Sequence, residues 1–111
     1  MTMELLSRKR PFTALMAFDD MTAFGAMRAM ANAGIKVPSR CSVIGFDDVT
    51  PSALFVPSLT TVRQPMEAMG AAAVNIIVDA ISAGTENRKT TAVHRRLASE
   101  LVIRESTRPL S

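Results

Sequence analysis

Two short stretches of this chain end on the same three residues, and they constrain its fold more than any other feature. Residues 13–20 (TALMAFDD) and 42–48 (SVIGFDD) each run through a few apolar positions and stop on Phe-Asp-Asp: Phe18, Asp19 and Asp20 in the first, Phe46, Asp47 and Asp48 in the second. A short apolar run bounded by polar residues is the pattern of a strand covered on both faces, as in a parallel sheet between helices. In such sheets the ligand crevice lies beyond the carboxyl ends of the strands. Both acidic pairs are therefore expected on one rim.

Around these strands the chain alternates helix and strand. Residues 1–10 read as the end of a helix closing in a basic turn, as though the chain were part of something longer, and Pro11 starts an extended segment. After the first strand, at 13–18, Asp20 is expected to cap a helix over about 21–33, which Gly34 ends in the left-handed conformation. That helix carries more apolar surface than one sheet needs, Phe24 and Met27 included, and so invites a second partner: another subunit, or the rest of a larger monomer. A strand at 43–46 leads into a loop over 47–58, with Pro51, Pro57 and an apolar knot of Leu54, Phe55 and Val56. A third strand at 59–63 precedes Gln64. Pro65 then takes the first position of an amphipathic helix over 65–83, with Met66, Met69, Ile76, Ile77 and Ile81 on one face. A polar turn at 85–89, extended segments at 91–97 and 100–104 and a tail from Glu105 complete the chain. The fold class expected is α/β, a mostly parallel sheet flanked by helices.

Composition bounds the function. At 111 residues the chain suits one domain, and with eight Met and no Trp or Tyr its core must be aliphatic, Met and Ala. The net charge is +3, but the basic clusters at 8–10, 88–89 and 95–96 lack interleaved aromatics and a helical stripe, which reads as solvated surface rather than a nucleic-acid patch. The single cysteine, Cys41, forms no internal disulfide and suits a reducing compartment. There is no apolar run of membrane-spanning length and no visible secretory signal, so no membrane partner and a cytoplasmic location are expected.

Paired carboxylates at strand ends serve three kinds of chemistry. They hold Mg²⁺ for phosphoryl transfer, act as general acid and base on glycosides, or accept hydrogen bonds from a ligand that does not react. The first also wants a phosphate-cradling glycine loop, which is absent. His94 is alone and is expected in an edge strand; no Cys/His constellation is present, and no serine has a histidine in a familiar motif. No catalytic residue, metal site or cofactor is therefore assigned, and the chain is read as a non-enzyme. Asp20 and Asp48 are expected as cap or loop carboxylates, leaving Asp19 and Asp47 as ligand candidates.

Five strings, PFTALMAFDDMTAFGAMRA (11–29), AGIKVP (33–38), SVIGFDD (42–48), PSLTTVRQP (57–65) and LVIREST (101–107), resemble the LacI/GalR family of bacterial repressors in order and spacing. The resemblance implies the C-terminal part of an effector-binding core, a partial periplasmic-binding-protein-like (type I) lobe. Residues 11–63 would belong to the C-terminal lobe, 64–90 to a helix of the other lobe in full-length relatives, and 91–111 to return strands and a tail. It implies ligand contacts at Asp19, Asp47 and Gln64, and dimer packing at Phe24 and Phe55, with Met27 on the same apolar helix. The implied partners are a small-molecule effector, a sugar or related polar metabolite, and a second copy in a homodimer, domain-swapped if the 65–83 helix exchanges. Operator DNA would be bound only through a helix-turn-helix that these residues do not contain. The rival readings are a stand-alone solute-binding module and a Mg²⁺-dependent phosphotransfer or hydrolase domain using Asp19 and Asp47.

Overall fold

Both Phe-Asp-Asp stretches form short strands, and those strands are neighbours. The computed structural model describes residues 1–84 and 92–110. In it β1 (Ala14–Met16) and β2 (Ser42–Ile44) pair in parallel, with Ala14 opposite Ser42 and Met16 opposite Ile44. β3 (Thr61–Arg63) meets β2 through isolated parallel bridges, Ile44 with Thr60 and Asp47 with Arg63, and β4 (Glu100–Val102) runs antiparallel to β3. The expected mostly parallel α/β arrangement is what the chain adopts, with helices α1 (Thr2–Ser7), α2 (Asp20–Asn32), α3 (Pro51–Leu54) and α4 (Met66–Ser82).

The chain divides into two units, Met1–Arg63 with Glu100–Ser111, and Gln64–Ser99. The first holds the core. Ala23, Met27 and Met30 recur on one face of α2 at spacings of three and four, and they bury with Phe24, Val43, Cys41 and Leu59. Leu15, Ile35, Val37 and Val49 close its sides. Gly34, at φ +75°, supplies the left-handed residue that ends α2, as the sequence predicts. In the second unit α4 carries no buried residue, and Met66, Met69, Ile77 and Ile81 are exposed. Pro65 stands at its N-cap rather than inside its first turn.

Several expectations are corrected. Asp19, not Asp20, caps α2: its backbone is extended and its side chain accepts the Thr22 N–H, because the helix starts one residue earlier than the apolar run suggests. The 47–58 loop contains the single turn α3, whose Ser52 is fully buried. Residues 92–99 form no strand, so His94 is exposed outside any strand, while the predicted turn at 85–89 and Thr91 lie outside the described residues.

The residues after Glu105 are not a loose tail. Ser106 is completely buried: its carbonyl accepts the Val43 N–H, and its hydroxyl donates to the Val43 carbonyl and accepts the Thr60 N–H. A serine can do this because it offers a donor and an acceptor together, satisfying backbone groups of two neighbouring segments at once. Phe24 and Met27 are 8% and 6% exposed, so the apolar surplus read on α2 is taken up inside the first unit. Phe24 stacks on Phe55, ring centroids 4.4 Å apart. Apolar surface stays exposed on Met21 at the start of α2, on Met16 and Phe18 of the first Phe-Asp-Asp stretch, and on Leu54, Phe55 and Val56.

Candidate ligand-binding rim

The register of β1 and β2 decides where the acids go. Beyond the Met16–Ile44 pair the backbones stay joined, Ala17 N–H to the Ile44 carbonyl and Asp20 N–H to the Phe46 carbonyl, both 2.9 Å. Asp19 and Asp47 each stand three residues past that register pair, so parallel pairing brings them to the same end of the sheet. Gln64 follows Arg63 directly and opens the second unit, where its carbonyl accepts the Met66 N–H.

The four carboxylates have different duties. Asp19 Oδ1 accepts the Thr22 N–H at 2.7 Å, and hydrogen bonds from the Thr22 side chain and backbone hold its carboxyl below the ordinary value. Asp20 is fully buried and accepts from the Val49 N–H, the Ser52 hydroxyl and the Thr61 hydroxyl. Asp47 is exposed, with φ +116°, and its N–H donates to the Val62 carbonyl. Asp48, at φ +58°, has a nearly buried side chain that receives Arg63 Nε on Oδ2 and Arg104 on Oδ1, each at 2.7 Å. Arg104 is itself held, donating to the Leu59 carbonyl at 2.9 Å, and Arg63 reaches Glu100 at 3.4 Å. Asp48 is thus a doubly ion-paired carboxylate rather than a simple loop acid. Arg63, Arg104 and the partners of Asp20 escaped the sequence reading, since they lie 15 to 56 residues from their carboxylates in the chain. The only local signal was a basic residue placed straight after a β-rich run.

An exposed aromatic precedes each acid: Phe18 is 89% and Phe46 37% exposed. An apolar groove of about 350 Å³ is lined by Met1 and Leu5 of α1, Phe12, Met16 of β1, and Thr22 of α2 among others, with Phe18 on its wall. Among the described residues no group of three or more His, Cys, Asp or Glu could hold a metal ion. Carboxylate acceptors beside apolar rings suit an uncharged ligand with hydroxyl or N–H donors on its edge and a C–H or ring face.

Asp48 also makes stability depend on pH. Desolvation pushes its carboxyl up, but the hydrogen bonds and charges of Arg63 and Arg104 together outweigh this and leave it lowered. A carboxyl lowered in the folded state contributes stability that is whole above its unfolded value, near ~3.9, and is lost as pH falls through the folded one. Urea midpoints should therefore drop as pH falls below the unfolded value, and drop less steeply for Asp48→Asn. Identical pH profiles for the two chains would show that the pairing contributes nothing.

The periplasmic binding protein-like domain family matches residues 1–107. The HTH-type transcriptional repressor PurR of Edwardsiella ictaluri (strain 93-146) is 40% identical over 93 residues, covering 84% of this chain and 27% of that protein. A Lac repressor dimer bound to operator and the anti-inducer ONPF superposes with TM-score 0.83 at 30% identity, over 96% of this chain and 35% of its own. A LacI family transcriptional regulator from Enterococcus faecium with bound ribose does so with TM-score 0.79 at 31% identity, over 99% and 39%. The chain spans between 27% and 29% of the length of the first curated relatives it matches.

Proposed function

This chain belongs to the periplasmic binding protein-like domain family, in the form found in LacI-type transcriptional regulators, and from that premise we propose that it supplies one side of a small-molecule effector pocket. The observation that carries the proposal is the shared rim: Asp19 and Asp47 at the same end of β1 and β2, each preceded by an exposed phenylalanine. On this reading Asp47 and Asp19 accept hydrogen bonds from the ligand, Gln64 adds a polar contact, and nothing on the ligand is broken or made. A sugar fits best, because its hydroxyls meet the carboxylates while a C–H face lies on Phe18 or Phe46, and a relative is known with ribose bound. The effector acts by binding one conformation of the regulator more tightly than another, which is the only way a ligand moves such an equilibrium.

The remaining assignments follow from the same premise. Residues 11–63 are read as the C-terminal lobe, 64–90 as belonging to the other lobe and 91–111 as the return. Phe55 and Met27, which line a groove of about 640 Å³ together with Val56, Ile35 and Val37, are read as dimer contacts, with Phe24 acting through its stack on Phe55. Operator DNA would be bound by a separate helix-turn-helix in the full-length regulator, working in the cytoplasm; no helix among the described residues is long and apolar enough to cross a membrane.

The test is Asp47→Ala in the full-length regulator, with ribose as the first probe and a panel of aldoses after it, followed by calorimetry and operator gel shifts. Removing a carboxylate that accepts ligand hydroxyls should weaken the responding sugar about 100-fold, some 2.7 kcal/mol, while operator affinity holds. Unchanged sugar affinity would remove Asp47 from the pocket.

A further inference from the structure

Asp47 and Asp48 are consecutive non-glycine residues at φ +116° and +58°. Backbone of this kind is unfavourable for residues other than glycine and persists only where the surroundings over-determine it. Three restraints do so here. The Asp47 N–H is tied to the Val62 carbonyl, the Val49 N–H to Asp20, and between them both oxygens of Asp48 are taken by guanidinium groups.

The partners of Asp48 are placed unusually in the chain. The first unit ends at Arg63 and resumes at Glu100, so every covalent connection to residues 64–99 passes through those two points. Arg63 and Glu100 stand opposite each other in the β3–β4 register and are ion-paired at 3.4 Å. Arg104 follows two residues beyond β4, its backbone N–H donating to the Thr60 hydroxyl. A single carboxylate, 9% exposed, thus reaches the outgoing segment through Arg63 and the returning one through Arg104.

We propose that Asp48 is a positioning residue: by clasping Arg63 and Arg104 it holds the left-handed turn that aims Asp47, and it ties that turn to the segment by which the chain leaves the first unit and to the one by which it returns. This rests on the reading of Asp47 as a ligand contact. By linkage, a ligand that stabilises the orientation of Asp47 tightens the outgoing and returning segments, and restraint on those segments favours the ligand by the same factor. Asp48 itself need not touch the ligand.

The experiment uses this chain without ligand, so its outcome is independent of any sugar titration. Amide hydrogen exchange is measured by NMR in wild type and Asp48→Asn. The neutral amide keeps the shape but weakens both guanidinium pairs, and exchange at Asp47 and across residues 100–102 should quicken at least tenfold, with the Arg63 Nε–H signal moving to its solvent-exposed position. Amides of Ala23 and Met27 in α2 should keep their rates. The proposal is overturned if Asp47 and β4 keep their protection, if only one of them loses it, or if α2 loosens equally, which would mean general destabilisation. Should Asp48→Asn fail to fold, Arg104→Gln removes one arm of the clasp and is judged by the same comparison. Glu100→Gln, which leaves Asp48 paired, should leave Asp47 unchanged; a tenfold loss there would place the restraint on Glu100 instead.

Discussion

Asp20→Ala should lose about 3–5 kcal/mol of stability, because a fully buried side chain that accepts three hydrogen bonds is removed from its donors. Asp20 has no exposed surface, and its oxygens accept from Val49 N–H at 2.9 Å and from the Ser52 and Thr61 hydroxyls at 2.5 Å. Ser52 and Thr61 are themselves fully buried, so water cannot replace the lost acceptor. Each donor left without a partner costs about 1–3 kcal/mol, and the removed atoms leave a small void besides. Against a total of roughly 5–15 kcal/mol for a domain, that is a large fraction. Asp20→Asn keeps the shape and one acceptor and should lose about half as much. Denaturant unfolding of the three chains provides the comparison, and an Asp20→Ala midpoint indistinguishable from wild type would show the network to be dispensable. The loss should reach the rim as well, because Val49 and Ser52 lie just past Asp47 and Asp48.

How far the sequence foretells this arrangement depends on the distance over which each residue acts. Parallel neighbouring strands, Gly34 as the end of α2 and the extent of α4 are all legible, because they rest on local runs and local backbone conformations. The roles inside each acidic pair are not. Asp19 and Asp20 are equally good caps by residue type, and a shift of one residue in where the helix begins exchanges cap for core. What makes Asp20 a core residue is Val49, Ser52 and Thr61, and what makes Asp48 a clasp is Arg63 and Arg104. No periodicity reports partners so far along the chain. Ser106 is hidden for the same reason, since a polar residue near a terminus reads as solvent-facing until Val43 and Thr60 close on it. The turn α3 is four residues long, too short to show a helical period. Family resemblance names Asp19 and Asp47 as expected ligand contacts, but it does not divide the labour among the four acids.

Gly45→Ala is expected to destabilise the chain by about 3 kcal/mol, the upper range for forcing one methyl group into a filled core. Gly45 is buried, and a Cβ built there lands on Asp20 Oδ1, 2.9 Å from Leu59 Cδ2 and 3.1 Å from the Asp20 Cα. Its φ lies outside the left-handed region, so an alanine meets no conformational penalty of its own. Within an extended segment alanine even gains roughly 0.5–1 kcal/mol over glycine through the unfolded chain. Any loss is therefore steric. Leu59 has no exposed surface into which to retreat, and Asp20 cannot swing away without releasing the donors that hold it. The decisive chain is the double variant: with Asp20→Ala the colliding oxygen is gone, and adding Gly45→Ala should then cost no more than about 1 kcal/mol, a coupling of about 2 kcal/mol between the sites. Additive losses would mean that the methyl group collides chiefly with Leu59 and the α2 backbone. In that case Gly45 would serve the close approach of β2 to its neighbours and not the seating of the Asp20 carboxylate.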